Sequence, residues 1–452
     1  MKRARAGVVT LVVIAVVLVA AIAFGGRDPE ATPSIAPAGN PTVSEVDARS
    51  AAWFCAAGTS DPEGRARETV LVTNLGDDEL AATITVLPGG ENEPVGREIT
   101  VAAHSTLAVP VAEVLATPEP GVVVEAFGGQ VLVEHQVANG DDVAVGPCAT
   151  DAATEWYFAA GTTSSRAQQV LALFNPFDED ATVDISFVTD TGPSEPERLQ
   201  GLTVPRRSRV SVPVHEEVRR QALVATSVQA RTGRIVSEQM LIPDGSESEG
   251  IAVSLGASAP ATEWHFPWTG VPGNSGQSVA VANFGRTSGE VTMLITLEGN
   301  ATLAEQSVAV PPRTVVLVDL AGRVPDDVGA SLSIGTTREL SVVAEQLAVG
   351  DGGIGTALGG FRPETRWAFS TRGRSLALFN PGADDVEVRL LRADGEERSR
   401  VEVAAGRRLQ VGTGGLGIAA DEPLVVEASG PLIAMRLGTV TVSPGVADPS
   451  PR

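Results

Sequence analysis

The sequence predicts an all-β chain: four tandem immunoglobulin-like β-sandwich repeats following one N-terminal transmembrane helix. Three observations carry this. A tryptophan-led pattern returns four times at nearly constant spacing, and repeats at a fixed period mark repeat architectures. Between the tryptophans, short segments alternate apolar and polar with period two and break at Gly, Pro, Asn and Asp, as half-buried strands do. The composition is 43% hydrophobic but only 4% aromatic, with 48 Gly and 30 Pro in 452 residues, which describes a turn-rich aliphatic fold rather than low-complexity disorder.

The N-terminal element comes first. Lys2, Arg3 and Arg5 precede an uncharged stretch over residues 7–24, just long enough to cross a bilayer as a helix. Basic flanks stay cytoplasmic, so everything after the span belongs outside. The run is longer than a cleavable signal core and reads as an uncleaved anchor in the cell membrane. Cleavage after Ala23, in Ala21-Ile22-Ala23, is the competing reading and would make the protein secreted. Residues 1–26 are therefore flank and anchor. Residues 27–50, rich in Pro, Ala and Ser, read as an extended tether.

Each repeat opens on W-x-F, or W-x-C in the first: Trp53-Phe54-Cys55, Trp156-Tyr157-Phe158, Trp264-His265-Phe266 and Trp367-Ala368-Phe369, the tryptophans 103, 108 and 103 residues apart. An apolar strand ending in Asn74, Asn175, Asn283 or Asn380 follows, then a polar turn and an alternating strand. Two more strands joined by a short polar link come next, as in ITVAAHSTLAVPV and LTVPRRSRVSVPV. The closing strands end near Gln136, Gln239 and Gln346, which lie 83, 83 and 82 residues after their tryptophans and near Glu134, Glu238 and Glu345. Arg436 stands where the fourth Gln is expected. The repeats span residues 51–149, 150–258, 259–361 and a shorter 362–446, with 447–452 as a tail.

About seven strands per 100 residues is the pattern of an antiparallel two-sheet sandwich. The alternative is a β-propeller with two blades per repeat, which requires self-similarity at half the period. The sequence shows none.

Alternation along a strand puts Trp156 and Phe158, Trp264 and Phe266, and Trp367 and Phe369 on one face, with Trp53 beside them. These are core positions, and the variable residue between them is expected to be exposed. The functional alternative is an aromatic platform for sugars, for which Trp268 is the best candidate. Cys55 replaces the aromatic of the other copies. Cys148 lies eight residues before Trp156, where Gly256 and Gly359 stand before their own tryptophans. Two cysteines at the ends of one exported domain predict a disulfide.

Function classes are excluded chiefly by charge and residue type. With 33 Lys and Arg against 56 Asp and Glu, the net charge is −23, which repels nucleic acid. Four His, two Cys and one Tyr leave few groups for acid–base, nucleophilic or metal chemistry, so no catalytic residue, cofactor or metal is assigned. The turns Asp77-Asp78-Glu79, Asp178-Glu179-Asp180 and Asp384-Asp385 could offer oxygen ligands to calcium, but they lack EF-hand spacing, and the third copy has Arg286-Thr287-Ser288. They read as solvated turns.

The Asn-led turn between strands, followed by V-x-V, a polar link and V-x-V-P-V, is similar to immunoglobulin-like modules of bacterial surface proteins. With its anchor and tether, the whole chain resembles an actinobacterial membrane-anchored family of unknown function. The resemblance implies a cell-envelope role and carries no site residues. The expectation is a non-enzymatic envelope protein, a tethered sandwich array offering a long surface to an unknown envelope protein or glycan. A carbohydrate-binding module for envelope polysaccharide is the alternative, and a glycan-processing enzyme a remote one. Whether the four units form a rod or fold back depends on their junctions.

Overall fold

The computed structural model describes residues 41–89, 92–165, 167–243, 250–267, 278–299, 301–320, 323–324, 328–337, 339–350, 353–438 and 442–449. The span over residues 7–24, most of the tether and Trp268 lie outside them. Among the described residues no helix is long and apolar enough to cross a membrane.

The fold is all-β, built from several small antiparallel sheets in sandwich-like units. In the first repeat the strands Ala51–Cys55, Gly121–Ala126, Leu80–Leu87 and Val95–Val101 form one sheet in that order. Ser105–Pro110, Arg67–Asn74, Val131–Asn139 and Asp142–Pro147 form the other. The chain crosses repeatedly between the two, so most strands adjacent in sequence lie in different sheets. A propeller blade would keep them together.

The third repeat has the same arrangement, and the second adds one short strand, Gly192–Ser194, paired with Ala181–Thr189. In the fourth, a single strand, Leu424–Leu437, runs through both sheets. The turn that separates its counterparts elsewhere is shortened there to Ser429-Gly430-Pro431.

The four expected core tryptophans are buried, at 1%, 3%, 0% and 1% exposure in chain order, with Phe158, Phe266 and Phe369 fully buried beside them. Three indole nitrogens donate to the main chain: Trp156 to Ile235 O, Trp264 to Val342 O and Trp367 to Leu432 O, at 2.7, 2.8 and 3.0 Å. A buried indole usually finds such a partner, and the Trp53 nitrogen of the first repeat is buried without one.

The recurrent Asn is a second shared device. In each copy its Nδ2 donates to the carbonyl four residues on, at 2.8 Å, and to the last carbonyl of a neighbouring strand, Val101, Val204, Val310 or Val403. Its Oδ1 accepts from the amide two residues on. A buried side chain with both kinds of hydrogen-bonding group thus closes each turn. The acidic side chains of these turns are exposed.

From residue 41 onward the described residues form one compact unit. The closing strands of the four repeats, Asp142–Pro147, Ala252–Leu255, Gly353–Leu358 and Val442–Pro444, touch in cyclic order, the last meeting the first. They enclose about 10 Å3 lined by residues of all four repeats, among them Ala144, Val253, Thr356 and Val442, which is room for about one water. The units therefore fold back into a closed ring.

Two segments read as tether and tail belong to the folded body. Thr42 bridges Ala447, Val43 N–H donates to Ala447 O, and Ser44 N–H donates to Val131 O, so the incoming chain is sewn between the fourth and first repeats. At the other end, Val446–Ala447 pairs with the strand Glu364–Phe369, and Asp448 forms a buried ion pair with Arg366 at 3.0 Å.

Candidate functional site: the junctions between repeats

The side chains with chemical capability gather where one repeat meets the next. The variable residue of W-x-F shows this first, because the expectation that it is exposed is wrong. Tyr157, His265 and Ala368 are 5%, 7% and 0% exposed, and Phe54 is half-buried against the core of the second repeat. Each faces the following repeat: Tyr157 meets Phe284 with ring centroids 5.1 Å apart, His265 meets Phe379 at 5.7 Å, and Ala368 packs in one cluster with Leu75 of the first repeat. The position varies because its partner does.

Strand register corrects a second expectation. Glu134, Glu238, Glu345 and Met435 lie opposite Leu71, Ala172, Ala280 and Ala377, each three residues before the turn Asn. The next position is then His135, Gln239, Gln346 and Arg436. Gln136 is displaced by one from the other two glutamines, so the recurrent residue is the glutamate. Gln239 Nε2 donates to Ala160 O at 2.6 Å.

Each glutamate reaches back into the preceding repeat, to the amides just after its W-x-F. Glu238 Oε2 accepts from Ala56 and Ala57 N–H at 3.0 and 2.5 Å, and Glu345 Oε2 from Ala160 N–H at 3.0 Å. Glu134 Oε2 accepts from Ser370 N–H at 2.7 Å, which closes the cycle from the first repeat to the fourth. At the junction of the third and fourth repeats the pattern fails on both sides together. Pro267 has no N–H to donate, and Met435 has no carboxylate to accept. Met435 instead joins an apolar cluster with Ala357, Ala377, Leu437 and Val442.

The same junctions hold the buried charges. Arg436 pairs with Glu134 through both carboxylate oxygens at 2.7 and 3.0 Å. Arg209 of the second repeat donates to Gly58 O and Pro120 O of the first, and Arg408 of the fourth donates to Pro267 O of the third.

Between the first and second repeats, His135 Nδ1 lies 3.1 Å from Glu68 Oε1 and its Nε2 lies 3.4 Å from Glu238 Oε2, all three side chains at most 1% exposed. Burial raises the Glu68 and Glu238 carboxyls above their ordinary range, Glu238 to about 7. Burial also pulls His135 down, but the carboxylates of Glu238 and Glu68 outweigh it and hold the imidazole at about 9. Burial alone lifts Glu345 to about 7.

The cysteines are joined across a sequence separation of 93, with Cα atoms 4.7 Å apart. The other repeats explain the substitution. A Cβ added to Gly256, Gly359 or Gly445 would lie 2.8, 2.7 or 2.8 Å from the ring tip of Phe158, Phe266 or Phe369, so each glycine makes room for the tip of a phenyl ring. In the first repeat the disulfide occupies the place of that ring-on-glycine contact.

Sequence reasoning found the core aromatics and the cysteines, and passed over Glu68, Arg209 and the role of the glutamates. Alignment on the turn Asn, rather than on Gln, was the signal available. Among the described residues no group of three or more His, Cys, Asp or Glu is arranged to hold a metal ion.

No curated protein matches the chain. Among solved structures, the crystal structure of Streptomyces avermitilis alpha-L-rhamnosidase complexed with L-rhamnose is similar over 73% of this chain at 10% identity. The match spans 46% of that protein with a TM-score of 0.12, a level at which nothing is carried over. A family model described as a family of unknown function, DUF5719, matches residues 124–372, more than half of the chain and parts of all four repeats. By that match the chain belongs to the DUF5719 family.

Proposed function

We propose that this protein is a non-enzymatic cell-envelope scaffold: a ring of four immunoglobulin-like sandwiches, tethered to the membrane through residues 7–24, that offers its outer surface to an envelope protein. One observation carries the reading. The glutamates that recur from repeat to repeat, Glu134, Glu238 and Glu345, are all buried and all hold main-chain amides of a neighbouring repeat. Their chemistry serves assembly of the ring. A rigid ring presents several edges in fixed relation, which lets weak contacts add through effective concentration. The basic flank ahead of residue 7 and the disulfide both fit an extracytoplasmic location.

The carbohydrate-binding reading rests on exposed tryptophans, and Trp53, Trp156, Trp264 and Trp367 are unavailable for stacking. It survives only through Trp268. Crosslinking of the full-length protein in native membranes is expected to give a reproducible protein partner, with no turnover of envelope polysaccharide by the purified chain. Turnover of such a glycan would sink the scaffold reading, and quenching of Trp fluorescence by an isolated glycan would favour the alternative.

A further inference from the structure

The first and second repeats fill one pair of equivalent positions differently. Glu68 and Gln169 each lie six residues before the turn Asn, and His135 and Gln239 each lie one residue after the recurrent glutamate. Gly58 and Gly161 pass closely over Glu68 and Gln169 in turn. In the second repeat the pair is neutral, Gln169 Nε2 donating to Gln239 Oε1 at 2.7 Å. A neutral pair therefore satisfies this place in the fold. The first repeat puts an ionisable pair there and brings a third titratable group, Glu238 of the second repeat, against the other ring nitrogen.

The remaining surroundings are charged as well. Glu68 stands on Arg67–Asn74, His135 on Val131–Asn139, Glu238 on Val236–Pro243 and Arg209 on Ser208–Pro213, while Glu119 acts on Arg209 from the segment before Gly121. Glu134, next to His135, is committed to the opposite junction with Arg436. Glu68 Oε2 and Glu238 Oε1 are buried without a hydrogen-bond partner. An imidazolium donates from both nitrogens and can serve both carboxylates, whereas a neutral imidazole donates from only one. Loss of the proton leaves one buried carboxylate facing a lone pair, a costly arrangement away from water.

We propose that Glu68, His135 and Glu238 form a proton-dependent latch between the first and second repeats, closed while His135 carries its proton and loosened when that proton leaves. The direction agrees with the raised imidazole: its contribution is complete below the ordinary histidine range and fades as pH rises through about 9.

Amide exchange of the whole protein at pH 8, where Glu238 is ionised and His135 protonated, and at pH 10, corrected for the intrinsic rate, tests this. At pH 10, protection of Ala56 and Ala57 is expected to fall at least about tenfold relative to that of Ser370, held by Glu134 at the opposite junction. The double variant Glu68→Gln/His135→Gln, which copies the second repeat, is expected to remove the difference between the two pH values. Equal protection of the wild type at both, or an unchanged pH response in the variant, overturns the proposal. Should the variant fail to fold, the imidazole chemical shifts of wild-type His135 decide: a ring already neutral at pH 7 overturns it, and one still protonated supports it.

Discussion

Glu134 and Arg436, 302 residues apart, form a two-pronged ion pair in which both side chains are at most 4% exposed. It joins the first repeat to the fourth. Glu134 also accepts the Ser370 amide, and Arg436 donates to Thr371 O and Ser443 Oγ, so the pair is hydrogen-bonded on both sides, as a buried pair must be.

Replacing Arg436 with Gln, the residue of the second and third repeats, strands the Glu134 carboxylate. A loss of about 3–5 kcal/mol in chemical denaturation is expected. A loss below about 1 kcal/mol would mean that the ring is closed by the Thr42–Ser44 segment and the apolar contacts around Leu132 and Ala368.

The disulfide can be exchanged for the contact used elsewhere. Cys55→Phe/Cys148→Gly gives up the constraint on a long loop, worth roughly 4–5 kcal/mol in the chain-entropy model, and regains part of it as ring burial. Cys55→Ala/Cys148→Ala regains nothing. The Phe/Gly variant should therefore melt above the Ala/Ala variant, and the reverse order in calorimetry would refute the equivalence.

Asn175 carries three hydrogen bonds to the main chain while fully buried. Asn175→Ala leaves the carbonyls of Glu179 and Val204 short of a donor and should cost about 2–4 kcal/mol. Urea titration checks the figure, and a neutral result would assign the turn to local backbone preference.

The link between strands contains a left-handed residue in every copy: His104, Arg207, Arg313 and Gly406, with φ of 56°, 50°, 55° and 66°. Only the fourth repeat uses the residue that adopts this conformation without strain. Arg207→Gly should stabilise by about 0.5–1 kcal/mol, and a decrease in stability would show that the arginine earns its place by contacts.

Glu345 has its carboxyl raised by burial to about 7, so the folded state binds that proton more tightly than the unfolded chain. Its contribution is complete below the ordinary carboxyl range near 4.5 and is lost as pH rises through about 7. Glu345→Gln should therefore gain stability relative to wild type at pH 8 compared with pH 5, on the order of 1–3 kcal/mol. Parallel denaturation curves for the two proteins across that range would contradict it.

Much of the fold was legible along the chain because its determinants are local or repeat. Alternation marks the strands, Asn and Gly mark the turns, and Trp156 with Phe158 marks a buried face. Tyr157 was misread because alternation reports only which residues share a face. It cannot say that the opposite face is covered by another repeat. The Gln136 register failed for a related reason: spacing from Trp53 counts loop residues, whereas pairing with Leu71 does not.

The sequence by itself determined four related sandwich-like units, their inward tryptophans and the pairing of Cys55 with Cys148. Only the tertiary structure decided that the units close on themselves, because closure depends on groups hundreds of residues apart meeting away from water. Glu134 is an ordinary polar residue in a strand until Arg436 arrives beside it. The same burial turns Glu68, His135 and Glu238 from three scattered side chains into one coupled cluster.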